Sequence, residues 1–420
     1  MLGGNYIAAA AAALAMLAVA MTVASSTAAA GDGGVIETDE AGALQINSSD
    51  PLTQPVLLNG QDVLSVIEAQ TRAIEAQRNL IANQASLITA LEEDLCSLHP
   101  PHLGSIPGAG SGSSKWWGGV LAPSGLIYGV PYHATSVLII NPATNTLDTT
   151  TITGLPPNGA KWAGGVLAPN NNIIYCFPSN RDSILKIDPA TNTADWTSIT
   201  GVGTATYMLL SGAVGNNGLI YGIPYSATFV LIIDPNTDTL DTTTMNGLDE
   251  ETHKWLGGVV VPDGRIFCIP LRANAVLIID PDTNTFDTTS IAGLGSGGYK
   301  WGGGVLVNNG LIYGTPRFNS SVLIIDPEVM TADITTITGL DDSNKWIGSV
   351  LAANGRVVGI PHDSHTVIVI DPETNTADIT SLAGAGAREA KFIGGVLAPN
   401  GLVYAIPYFA DSVLVIDVGC

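Results

Sequence analysis

The chain has 420 residues, 46% of them hydrophobic and 12% charged, with 48 glycines and 24 prolines, which is too apolar for disorder and long enough for a large core. Its formal net charge of −22 argues against nucleic acid or an anionic membrane as the main partner, while leaving room for one local basic site. In chain order the sequence divides into a signal (1–30), a linker (31–61), a helical stalk (62–98) and a repetitive body (99–420).

Ile7 to Val23 is an uncharged apolar run followed by small residues. It predicts a secretory signal cleaved near Ala28–Ala30, and hence a secreted or cell-surface protein. No Lys or Arg precedes the run, and the alternative is an uncleaved, alanine-rich anchor at the short limit for a membrane span. Residues 31–61 mix Gly, Asp, Ser, Thr and Pro and read as a linker. Ile67, Ile74, Ile81, Ile88 and Leu95 then recur every seven residues, with Gln70, Gln77, Gln84 and Leu91 three places on. This heptad places β-branched Ile at a and mostly Gln at d, and we favour a parallel homotrimeric coiled coil. The alternative is one amphipathic helix packed on its own body.

From residue 115 the sequence repeats. Asp-Pro or Asn-Pro pairs begin at Asn141, Asp188, Asp234, Asp280, Asp326 and Asp371, and a seventh copy reaches Asp417, in steps of 45–47 residues. Each unit splits into four short strands, "GGVLAP", "LIYGIP", "SVLIID" and "DTTTIT", punctuated by turn residues. Four strands at this period, seven times over, predict an all-β, seven-bladed β-propeller of four-stranded blades. The last copy stops after its third strand. Ser105 to Trp116 resembles Ser290 to Trp301, so residues near His102–Gly108 are expected to complete the seventh blade from the other end of the chain. A Cys96–Cys420 disulfide would lock that seam, worth about 4–5 kcal/mol in the chain-entropy model. Cys176 and Cys268 lie two repeats apart and are expected to be buried free thiols.

"LIYGIPYSATFVLIIDPNTDTLDTTTMNG" resembles the YVTN-type β-propeller repeat, and Gly-Gly in the first strand resembles Kelch repeats. The resemblance covers 102–420 and implies a seven-bladed ring often found on cell surfaces; it implies no chemistry.

In "DPDTNTFD", Asp280, Asp282, Asn284 and Asp287 have the oxygen spacing of a calcium loop. Asp-Pro before Thr-Asn-Thr is also a good hairpin turn by itself, and we expect the turn, with no metal or cofactor. Six of the seven lysines occupy one repeat position: Lys115, Lys161, Lys254, Lys300, Lys345 and Lys391. Five precede Trp and one Phe. At the start of the innermost strand they would form a broken ring around one mouth of the channel and bind an anion there. The alternative is that each Lys pairs with a nearby acid (Asp249, Glu250, Glu251, Asp341, Asp342, Glu389) or lies over its Trp. Trp116, Trp162, Trp255, Trp301 and Trp346 are expected between blades. The variable loops on that face carry Tyr132, His133, Arg181, Asp182, Arg272, Arg317, Asp363, Ser364 and Tyr408. They also carry His362 and His365, a candidate binding pair with a weak metal-ligand spacing.

No nucleophile–base motif, phosphate loop or Cys-x-x-Cys is present. The expected function is a non-enzymatic structural or interaction subunit, oligomerised by its stalk, in an extracellular coat or fibre. Its expected partners are itself, other extracellular proteins or acidic glycans. The alternatives are a glycan-binding propeller and an extracellular lyase or oxidoreductase with an axial site. Asn47 and Asn319 head N-glycosylation sequons.

Overall fold

The computed structural model describes residues 35–38, 44–47, 57–58, 61–157, 159–341 and 343–419. The expected signal segment, Asp342 and Cys420 lie outside them, as do the side chains of Asn47 and Cys96. The chain divides into two compact units, Met1–Asp94 and Leu95–Cys420.

In the first unit, two short antiparallel pairs lie within the expected linker and at its end: Val35–Thr38 with Leu44–Asn47, and Leu57–Leu58 with Gln61–Asp62. The helix α1, Val63–Leu98, follows. The heptad run contains no Gly or Pro, which is why it stays unbroken over 36 residues. Every side chain described between residues 64 and 91 is exposed, the isoleucine stripe included. Among the described residues no helix is long and apolar enough to cross a membrane.

The described residues of the second unit form seven four-stranded antiparallel sheets. Blade 1 runs Trp116–Leu121, Ile127–Pro131, Leu138–Asn141 and Thr146–Asp148 from the hub outward. Blades 2 to 7 repeat this order, starting at Trp162, Leu209, Trp255, Trp301, Trp346 and Phe392. In blade 7 the outer strand is His102–Pro107, paired on Ser412–Asp417 in the register Val413↔Ile106 to Asp417↔His102. The seam therefore closes as the repeat arithmetic requires. Gly419 packs against His99 and Pro101 beside it.

The expected "DTTTIT" strand is displaced. The outer strand is the three residues ending at the Asp, as in Thr146–Asp148. The threonines after it form a turn, because the Asp148 carboxylate accepts from Thr150 N at 2.7 Å and Thr151 N at 3.1 Å. A side chain that satisfies local backbone donors competes with strand pairing.

Inner strands touch all the way round, the seventh meeting the first. The crowding demands glycine. A Cβ on Gly348 (φ 99°) would stand 2.7 Å from Gly394 Cα, and one on Gly394 (φ 72°) 3.2 Å from Gly118 Cα. Blade 3 alone has a side chain here, Ser211, whose Oγ accepts from Gly257 N of the next blade at 2.9 Å. Between blades lies the core. Trp162 packs with Val130 and Val137 of blade 1, and its Nε1 donates to Ser183 O at 2.7 Å. The tryptophans are thus interblade core, as expected, and Cys176 and Cys268 are buried free thiols.

The Asp-Pro motif is a turn. The Asp280 carboxylate accepts from Asp282 N at 2.9 Å and Thr283 N at 3.3 Å, and no metal-holding cluster occurs among the described residues. The turn's Asn takes a left-handed φ (Asn284, 53°), a conformation Asn tolerates well. Its side chain also bolts the ring. Tyr221 of the preceding blade donates its hydroxyl to Asn284 Oδ1 at 3.1 Å. Tyr128–Asn192 (2.8 Å), Tyr313–Asn375 (2.7 Å) and Tyr404–Asn145 (3.2 Å) repeat the bond. Where blade 4 has Phe267 instead of Tyr, the partner position holds Met330, and Arg265 crosses the interface to Pro327 O at 2.8 Å.

Candidate functional site

The six lysines do not line a channel mouth. All are buried, between 0% and 7% exposed, and their ammonium groups donate to backbone carbonyls of adjoining loops. Lys254 Nζ reaches Ala227 O at 2.9 Å, Asp249 O at 3.1 Å and Glu251 O at 2.7 Å. Lys115 takes Gly112 O (2.9 Å) and Ala410 O (2.6 Å), and Lys300 takes Ala273 O (2.9 Å) and Leu271 O (3.3 Å). Lys161 takes Tyr132 O at 3.1 Å and Lys391 takes Arg388 O at 3.0 Å. Lys345 takes Asn319 O at 3.1 Å and Asp341 O, with the Asp341 carboxylate 3.5 Å away. Four of them also lie 5.5–5.8 Å from the ring centroid of the neighbouring Trp.

Burial pulls Lys115, Lys161 and Lys300 down to about 8, which still leaves them charged at neutral pH. At five of the six positions, Lys391 excepted, an acceptor belongs to the preceding blade, so the lysine is a clasp between successive blades. The carbonyl acceptors explain why an acidic protein concentrates its lysine there, and the expected anion ring is replaced by this structural role. Blade 3 has Met208 at the clasp position, with Leu209 in place of Trp.

The axis holds a cavity of about 200 Å³ among the hub glycines, lined also by Trp117, Leu210, Leu256, Ile347 and Ile393. None of the six lysines lines it, and neither does any titratable side chain. It is smaller than usual ligand pockets, which start near 300 Å³.

His362 and His365 sit in different surroundings, one buried and one exposed. His362 is 5% exposed, its Nδ1 lies 3.0 Å from Phe392 O, and burial holds its imidazole down to about 4. It is neutral at physiological pH. His365 is exposed. Asn319 is partly buried, its Oδ1 accepting from Ser321 N at 3.1 Å and Ser321 Oγ at 3.0 Å.

Chemistry gathers instead on the loops above the hub. Arg317 follows the proline of its second strand, which holds it over blade 5. Its Nε donates to Asn344 Oδ1 at 2.7 Å. Its guanidinium lies 4.7 Å from the Tyr299 ring centroid, and that of Arg272 lies 5.9 Å from the same ring. His253 meets Tyr225 edge-on at 4.8 Å and Tyr299 at 5.5 Å. Burial first, then Arg272 and Arg317, depress its pKa. On the other side Tyr132, Trp117 and Tyr408 cluster at 5.2–6.0 Å.

Tyr207, His253 and Tyr299 were missed in the sequence. They occupy one repeat position, directly before the clasp, in three consecutive blades, where the other blades have Ser114, Ala160, Asn344 and Ala390.

No protein-family model matches the chain, and no curated protein matches it. Solved structures do. Virginiamycin B lyase from Staphylococcus aureus superposes with a TM-score of 0.60 at 10% identity, covering 75% of this chain and 98% of that one. Hydrazine synthase of Kuenenia stuttgartiensis gives 0.52 at 14% identity, covering 72% and 95%. The extracellular domain of a one-component system from B. thetaiotaomicron gives 0.54 at 10%, covering 75% of this chain and 39% of that one. The likeness is one of fold: this chain is a seven-bladed β-propeller.

Proposed function

We propose that the protein is a non-enzymatic, secreted or cell-surface propeller, assembled by α1 into a parallel trimer that presents its loop faces as a structural or interaction subunit. The observation that carries this reading is the exposed isoleucine stripe of α1. Ile67, Ile74, Ile81 and Ile88 are 50%, 52%, 64% and 56% exposed, and each would gain about 1–2 kcal/mol on burial. Leu80 and Leu87, at the flanking g positions, widen the apolar face, which suits more than two helices. In a parallel assembly Gln70, Gln77 and Gln84 of the copies fall in common layers and hydrogen-bond across the axis.

The test is light scattering on residues 31–420. A three-chain mass is expected, collapsing to one chain in the double variant Ile74→Asn/Ile81→Asn. A monomeric parent would overturn the proposal.

A second reading, recognition of an acidic glycan, is favoured by the aromatic and guanidinium groups above the hub. An extracellular lyase or oxidoreductase acting on the axis finds no acid or base among the residues that line the axial cavity.

A further inference from the structure

We propose that the loop face of blades 3 to 5 is a binding site for a carboxylated glycan, with Tyr207, His253, Tyr299 and Phe318 as a stacking strip and Arg272 and Arg317 as the carboxylate-binding groups. This deepens the glycan-recognition reading and is independent of the helix.

The strip is continuous. Ring centroids are 6.3 Å apart from Tyr207 to His253, 5.5 Å from His253 to Tyr299 and 6.0 Å from Tyr299 to Phe318. Its ends are open, with Tyr207 41% and Phe318 37% exposed. A groove of about 360 Å³ runs beside the Tyr299 and Phe318 end, edged by Gly297, Gly298 and Asn319, with Lys300 at its floor the remaining lining residue. Cβ atoms built on Gly297 and Gly298 would meet nothing within 4 Å, so the loop leaves that space clear.

The backbone shows the same bias. Tyr207 and His253 hold left-handed φ of 52° and 63°, a region bulky residues seldom occupy. Other blades fill that turn with Ser114, Ala160 or Ala390. Aromatic rings are thus kept where the turn favours something smaller, and only along one arc of the ring.

Charge sets the ligand class. The chain carries a net −22, yet among the described residues neither Arg272 nor Arg317 makes an ion pair. The nearest compensation is indirect: Asn344, which accepts from Arg317, donates to Asp363 Oδ2 at 2.8 Å. Asp363 is also taken by Ala390 N at 2.6 Å. Guanidinium groups match carboxylates in two-point geometry, and the flat faces around them suit the C–H faces of pyranose rings. At physiological ionic strength the repulsion from distant acids is screened within about 8 Å, so a local pair of arginines is sufficient to hold an anion.

The test is titration calorimetry of residues 31–420 with oligogalacturonate, the matching neutral oligosaccharide and poly-glutamate. Binding to the uronate alone is expected, weakened roughly tenfold or more in Arg317→Gln and Tyr299→Ala. If either fails to fold, Arg272→Gln and Tyr207→Ala, which alter exposed or half-exposed side chains, carry the comparison. Absence of uronate binding, equal affinity for poly-glutamate, or unchanged affinity in the variants would overturn the proposal. Light scattering on the same samples separates the two readings: a monomer that binds uronate refutes the trimer, and a trimer that ignores uronate refutes the site.

Discussion

Replacing Lys254 by Met distinguishes a clasp from an anion site. The side chain is 0% exposed and its ammonium serves three carbonyls, Ala227, Asp249 and Glu251. Met fills similar volume over Trp255 but donates nothing. The Asp249 and Glu251 carbonyls belong to an exposed loop and can recruit water. The Ala227 carbonyl makes a buried bond and is left without this donor, at about 1–3 kcal/mol. Losing the charge-assisted bonds adds to this, and relief from burying an ammonium subtracts. The net expectation is a loss of about 2–3 kcal/mol. Urea unfolding followed by tryptophan fluorescence measures it, with an unchanged m-value showing that the ring stays intact. The uronate affinity should be unaltered. A variant as stable as the parent that has lost anion binding would refute the clasp and return the lysines to a recognition role.

The bolt between blades predicts pairwise coupling. Tyr221→Phe and Asn284→Ala should each cost about 1 kcal/mol and be non-additive in a double-mutant cycle; additive losses would mean that the hydroxyl bond contributes nothing. At the seam, the Cys96–Cys420 disulfide expected from the sequence should leave two of the four cysteines, Cys176 and Cys268, as thiols in the denatured, unreduced protein. Four titratable thiols in material secreted from cells would rule the bridge out.

The ring was legible because its period is long and its turns are chemically distinctive. The seam could be located because Ser105–Trp116 repeats a stretch that elsewhere leads into an inner strand. The lysines were placed at the right height, and four of them lie over their Trp as the alternative reading had it, but the carbonyl clasp was not foreseen. Sequence spacing fixes where a Cα falls; the clasp depends on where carbonyl oxygens of adjoining loops point, and carbonyls carry no residue identity. The outer strand was misplaced for a similar reason: Asp148 cannot announce that it will accept from Thr150 and Thr151 rather than let the threonines pair. The stacking strip was hidden by averaging. A consensus drawn over seven units erases Tyr207, His253 and Tyr299, because four of the seven blades carry something small there. Departures from the repeat, read blade by blade, were the available signal.

The joint replacement of Tyr by Phe267 and of Asn by Met330 at one interface gives the blades individual addresses. Move blade 5 behind a blade that carries Tyr at this position and its sulfur would confront a phenol that wants an oxygen; bring a blade with Asn at the turn into its place and an amide would face a bare phenyl. A circular permutant that keeps neighbours together preserves every match, whereas a reshuffled array does not. Near-identical units ordinarily risk docking out of sequence while the chain is still incomplete. Here one mismatched pair of side chains helps count the blades into place.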